Sequence, residues 1–246
     1  MSPTARLPTR TVAPAVGAIL VVCALASCGG GDSEPAGPTI APDAGVIVAE
    51  SAQAMGEVTS VRFELEATGA PVYIDAAGAI SLNTIDGRFN VPGSADAVVE
   101  VEVGGALNTE LGAVAVGDDV WLSNPITGEL EPLPPGIDLD PSSFFDPAGG
   151  WRPLLENLSD VELIGIEDRD GDRYHLRGTA PAEQVEVITA GLVSDLDVTI
   201  DVWVDPVTAL VTAVEFTADL GDGETNWALT LSDYGETFDI APPPEN

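Results

Sequence analysis

The chain has 246 residues, with 41 acidic side chains against 8 arginines, no lysine, and a formal net charge of −33. That balance argues against nucleic-acid binding, which needs a basic footprint, and against a basic patch docked on anionic headgroups. The length suits one domain behind a leader. Both cysteines, Cys23 and Cys28, fall early in the chain, so no disulfide is expected and packing must supply the stability.

Residues 1–27 contain no Asp or Glu and carry Arg6 and Arg10 ahead of an apolar run from about Val12 to Leu25. A basic start, a short apolar core and small residues at its end form a secretory signal. The run is shorter than the ~20 apolar residues of a comfortable membrane span. Leu25-Ala26-Ser27-Cys28 resembles a bacterial lipobox, in which the cysteine thiol takes a diacylglycerol and a peptidase cuts before it. Cys28 is therefore expected to be the acylated first residue of the mature protein. The alternative is an ordinary signal peptide beside an incidental cysteine. One acyl chain anchors only marginally, whereas two or three hold.

Residues 28–44 are rich in Gly, Pro, Ser and acid and read as a flexible tether. From Val46 to Val58 the apolar spacing predicts an amphipathic helix. Val61-Arg62-Phe63-Glu64-Leu65-Glu66-Ala67 alternates strictly and predicts a half-buried strand. Strands are expected at Ala79–Phe89, with an irregularity near Asp86-Gly87, then at Val99–Val103, Leu107–Val116 and Val120–Ser123. Residues 131–142 read as proline-rich and extended. Trp151, Leu154, Leu155 and Leu158 are spaced i, i+3, i+4, i+7, one face of a short helix with Pro153 in its first turn. A hairpin around Asp170-Gly171 follows, then a helix over Pro181–Ala190 and strands at Leu196–Val204, Leu210–Leu220 and Asn226–Leu231. One long antiparallel sheet with helices inserted midway accounts for this order. The domain is expected over 45–241, before a Pro-rich tail at 242–246.

Several of these pieces together resemble the mycobacterial LppX/LprAFG lipoprotein family, within the LolA/LolB-like fold. They are the lipobox at Cys28, the strand Ser60-Val61-Arg62-Phe63-Glu64-Leu65, the turn Phe145-Asp146-Pro147 before Trp151 and Leu154-Leu155, the late strand Trp203-Val204-Asp205, and the closing Leu231-Ser232-Asp233-Tyr234-Gly235-Glu236 with its Pro tail. The chain departs from the family in its acidity and in Tyr234, which stands where a Trp is usual. The resemblance implies an α+β fold: a single curved antiparallel half-barrel sheet covering short helices around an apolar cavity. It also implies a non-catalytic protein, lipid-anchored on the extracytoplasmic face of the cell membrane, that carries acylated lipids or glycolipids within the envelope. A membrane lipid exporter is the implied loading partner, with the carrier acting as a monomer.

The wall of such a cavity would come from one face of several strands: Phe63, Leu65, Ile80, Leu82, Val99, Val101, Leu111, Val198, Ile200, Val214, Phe216, Leu229 and Leu231. Its mouth would be covered by Phe144, Phe145, Trp151, Leu154 and Leu155. From residue type alone the same side chains could equally close-pack as core, and a register shift of one would move each set to the other face. A structural or sensory lipoprotein using this fold for protein contacts is the competing expectation, and an envelope hydrolase using paired carboxylates is a third.

Other candidate chemistry is thin. His175 is the only histidine, is expected to face solvent from a strand, and cannot build a histidine-based metal site alone. The run Glu167-Asp168-Arg169-Asp170-Gly171-Asp172 lacks the spacing of a calcium loop and reads as a hairpin turn. No Gly-x-Ser-x-Gly elbow or phosphate loop occurs, and neither a metal nor a cofactor is expected. Cys28→Ala is predicted to move the protein from the membrane fraction to the soluble fraction on cell fractionation. Retention in the membrane would rule out the acyl anchor.

Overall fold

The computed structural model describes residues 42–75, 77–117, 119–124, 127–132 and 150–244. Cys28, Phe144 and Phe145 therefore lie outside the described residues. Asp43 caps the first helix, α1 (Ala44–Met55), by accepting from the Val46 N–H, which satisfies one of the donors a helix start leaves open. The strands that follow are β1 (Ser60–Gly69), β2 (Val72–Tyr73), β3 (Ile80–Asn90), β4 (Ser94–Val103), β5 (Leu107–Val116), β6 (Asp119–Ser123) and β7 (Leu130–Pro132). Helix α2 (Trp151–Glu156) leads into β8 (Ser159–Asp168) and β9 (Asp172–Ala180); α3 (Ala182–Ile188) leads into β10 (Val198–Val204), β11 (Val211–Asp219) and β12 (Glu224–Ser232).

These strands form one 12-stranded antiparallel sheet ordered β7-β6-β5-β4-β3-β1-β12-β11-β10-β9-β8, with β2 paired to β3. Strands β3 to β7 and β8 to β12 each run in sequence order, β7 and β8 form the two opposite edges, and β1 sits between β3 and the last strand. Two hairpin meanders thus meet along the β1–β12 seam. The seam is tied beyond its ladder. Ser60 Oγ donates to the Glu236 carbonyl at 2.5 Å, Thr225 Oγ1 donates to the Ala70 carbonyl at 2.9 Å, and Arg62 bridges Asp86 and Asp233 at 3.1 Å each.

One face of the sheet is covered by the helices. Ile47, Val48, Ala52 and Met55 of α1, Trp151, Leu154 and Leu155 of α2, and Val185 and Ile188 of α3 share one buried cluster with Val61, Leu176, Ile200, Val202, Val214, Trp227 and Leu231. Tyr234 pins α1 to the sheet, with its hydroxyl donating to the Val211 carbonyl at 2.5 Å and lying 3.7 Å from Met55 Sδ. Burial pushes that hydroxyl's pKa well above its ordinary value.

Two local features differ from the sequence expectation. No irregularity occurs at Asp86-Gly87, which pair in register with Val98 and Ala97; the bulge falls instead between Leu82 and Thr84. An extra residue at Asn83 restores the alternation, so Leu82 lies opposite Val101 and Ile80 opposite Val103. Gly87 is present because the Phe63 ring of the paired residue lies across it. A Cβ there would stand 2.8 Å from Phe63 Cε1 and 3.0 Å from the Asp96 carbonyl oxygen. The second feature is β2, a two-residue strand too short to carry a period. Gly87→Ala is predicted to cost roughly 1–3 kcal/mol, as overpacking does. The cost should show as a lower urea midpoint, partly recovered in the Gly87→Ala, Phe63→Leu double variant.

Candidate functional site: the apolar face of the sheet

Residues directly opposed in an antiparallel pair point to the same side, so the register assigns each strand residue to a face. Phe63 lies opposite Leu231 and Leu65 opposite Leu229; Leu229 lies opposite Val214 and Phe216 opposite Ile200. On the other flank Leu65 opposes Ile85, Ile85 opposes Val99 and Leu82 opposes Val101, and Val99 opposes Leu111. Val198 follows from alternation with Ile200, and Ile80 from its pairing with Val103. All the strand residues named from the sequence therefore share the face that carries the helices.

Their environments separate into two groups. Val198, Ile200, Val214, Phe216 and Leu231, with Leu82 and Val101, are buried. Trp151, Leu154 and Leu155 are equally buried and are part of the closed core in α2. Phe63, Leu65, Ile80, Val99, Leu111 and Leu229 are only half-buried, and so are their same-face neighbours Ile85, Ala97, Ala113 and Leu122. The helices thus close the face of β10 and β11. The middle of the β1–β3–β4–β5 side is a partly open apolar trough, bounded at one end by Phe89, Ala95 and Ala115 and at the other by Leu82 and Val101, all buried. Half-buried aliphatic side chains in a row can take up methylene chains at about 0.8 kcal/mol per group removed from water. They offer no acid, base or nucleophile.

The opposite face holds a polar cluster that the sequence reading missed. His175 is not solvent-facing; it is 6% exposed. Its Nδ1 lies 2.7 Å from Glu167 Oε1 and its Nε2 2.7 Å from Asp201 Oδ1. The ring stacks on Trp203 at 4.5 Å between centroids, and the Arg169 guanidinium covers Trp203 at 3.8 Å. The signal that could have found it is the pattern of outward positions: Trp203 pairs with His175, and Asp201 with Arg177. Each ring nitrogen meets a different carboxylate on opposite edges of the ring, so no single point receives all three groups. Among the described residues no cluster suited to a metal ion is found. The Asp168–Asp172 turn likewise spends its groups on itself: Asp168 Oδ1 accepts from the Gly171 N–H at 3.1 Å, and the Asp170 carbonyl accepts from Arg173 at 3.0 Å. Two open grooves of about 590 and 680 Å³ lie on this outer face over β11 and β12, sharing Glu215 and Ala228. Among the described residues every arginine has a carboxylate partner: Arg62, Arg88, Arg152, Arg169, Arg173 and Arg177.

The model of the LppX_LprAFG lipoprotein family matches residues 43–240. The chain belongs to this family. LprF from Mycobacterium bovis shares its fold with a TM-score of 0.67 at 17% identity, over 83% of this chain and 99% of that one. LppX from Mycobacterium tuberculosis does so with a TM-score of 0.56 at 20% identity, over 80% and 97%. No curated protein matches the chain by sequence. Within this LppX_LprAFG chain, no helix among the described residues is long and apolar enough to cross a membrane.

The outer cluster has a pH signature. The Trp203 indole N–H, then His175, hold the Glu167 carboxyl below its ordinary pKa. A carboxyl with a lowered folded pKa adds stability above its unfolded value of about 4.3, and loses it as pH falls through the folded value. Glu167→Gln is therefore predicted to lower the urea midpoint at pH 7 and to narrow the difference from wild type toward pH 3. An unchanged difference across that range would remove Glu167 from the acid response.

Proposed function

We propose that this chain is a lipid-anchored envelope protein that binds acylated lipids or glycolipids through the apolar trough and carries them within the envelope without catalysis. The observation that supports this reading most is the asymmetry of the helix-bearing face. An apolar surface is expected to be sealed by its helices, yet Phe63, Leu65, Val99, Leu111 and Leu229 are left half-open beside closed strands β10 and β11. Family membership fits the same use. The acyl anchor at Cys28, the extracytoplasmic membrane location, the tether at 28–44 and a membrane exporter that loads the protein belong to this proposal.

The competing reading is a structural or sensory lipoprotein. It draws on the tight packing of Val198, Ile200 and Val214, which leaves no room for chains on that side. Organic extraction of natively purified protein followed by mass spectrometry separates the two. The carrier reading expects a stoichiometric acylated lipid; an empty extract with no uptake of labelled lipid overturns it. Val99→Asp and Leu111→Asp are predicted to cut recovered lipid several-fold. Val98→Asp, on the outer face of the same strand, should leave it unchanged.

A further inference from the structure

Two turns at one end of the sheet break the electrostatic character of the whole molecule. The β2–β3 turn runs Tyr73-Ile74-Asp75 to Ile80, and the β4–β5 turn runs Val103-Gly104-Gly105-Ala106-Leu107. In a chain with 41 acidic residues this pair of turns carries one charged side chain, Asp75. That carboxylate is turned back on its own loop, accepting from the backbone N–H groups of Ala77 at 3.1 Å, Ala79 at 2.9 Å and Ile80 at 2.7 Å. The Ile80, Ala79 and Ala77 bonds hold its pKa below the ordinary carboxylate value. The two turns are also joined, with the Gly104 N–H donating to the Ala79 carbonyl at 2.8 Å, and the β2–β3 turn is closed by the Ile74 N–H donating to the Ile80 carbonyl at 3.0 Å.

What this corner presents to solvent is aliphatic and aromatic. Leu107 is 63% exposed, Tyr73 44% and Ile74 40%. The register puts Ile80, Val103 and Leu107 on the trough face, and alternation from Val72 puts Ile74 there too. They continue the line of Leu82 and Val101 past the end of the trough. With the N–H groups of Ile74, Ala77, Gly78, Ala79, Ile80, Gly104 and Ala106 bonded within the corner, its apolar tips can leave water at little polar cost while Asp75 stays at the headgroup level, which suits a membrane interface. The corner has no cation to meet an anionic headgroup. The β11–β12 turn at the same end adds Asp219, Asp222 and Glu224, which would be repelled by one.

We infer that the Tyr73–Ile74 and Leu107 corner docks into the interface of an uncharged or zwitterionic phospholipid bilayer, with the trough beginning one buried row, Leu82 and Val101, behind it. Its purpose rests on the lipid-carrier reading, but its geometry does not. The test uses the full chain in a Cys23→Ser, Cys28→Ser background, with an environment-sensitive nitrobenzoxadiazole label at Leu107→Cys or at Val207→Cys. Val207 is 90% exposed in the β10–β11 turn at the other end of the sheet. On phosphatidylcholine vesicles with brominated acyl chains, the label at 107 is expected to shift to the blue and lose more than half its emission, while the label at 207 does neither. Adding Ile74→Glu should lower the bound fraction read at 107 about tenfold, roughly what an aliphatic side chain gains on burial. Equal behaviour of the two labels, or no quenching at 107, overturns docking by this corner. If extracted protein carries lipid while 107 stays in water, docking fails alone; if 107 is quenched while the extract is empty, the carrier reading fails alone.

Discussion

Everything else in the molecule hangs on the pairing of the first long strand with the last. The β1–β12 ladder runs from Arg62 opposite Ser232 to Gly69 opposite Thr225, and the Ser60–Glu236 bond spans 176 positions of sequence. Contacts this distant cost chain entropy before they return anything, and here they return the joining of two meanders that otherwise share no edge. The apolar side chains of β1 then serve both halves. Phe63 touches the β3 side through Gly87 and the β12 side through Leu231. The exposed Arg62 pairs are decoration by comparison, since such pairs contribute little in water.

Joining the halves also fixes where the helices go. The region 150–197 supplies α2 and α3, and α1 packs on α2. α2 and α3 stand in the chain among the strands of the second meander, and α1 also packs against β8. The first meander keeps an apolar face with less to cover it. The trough thus follows from topology more than from any special residue. Apart from Phe63, its walls are Val, Leu, Ile and Ala, the same types that close-pack a few strands away.

This explains what could be read from the chain and what could not. The alternation in Val61–Ala67 and the i, i+3, i+4 spacing of Trp151, Leu154 and Leu155 gave the elements because each period is local. The shared face of residues as distant as Val99 and Val214 was legible because each strand carried its own parity, and the bulge at Asn83 preserved it. The seam was not legible, since nothing in Phe63 or Leu231 names the other as partner. Burial differences along one face were equally hidden: Val101 and Val99 differ in cover, not in type. His175 misled because a single imidazole carries no periodicity. Its burial depends on Trp203, Glu167 and Asp201 arriving from three other positions in the fold.

The surface charge has a consequence for neighbours of the same kind. All described arginines are engaged by carboxylates within the chain, so none of them is spare for a neighbouring copy. Each copy travels with its own cloud of counterions, about 8 Å deep at physiological ionic strength. Crowded copies would hold each other at a distance set by salt. Dilution would spread them apart, and concentrated salt would let them close up.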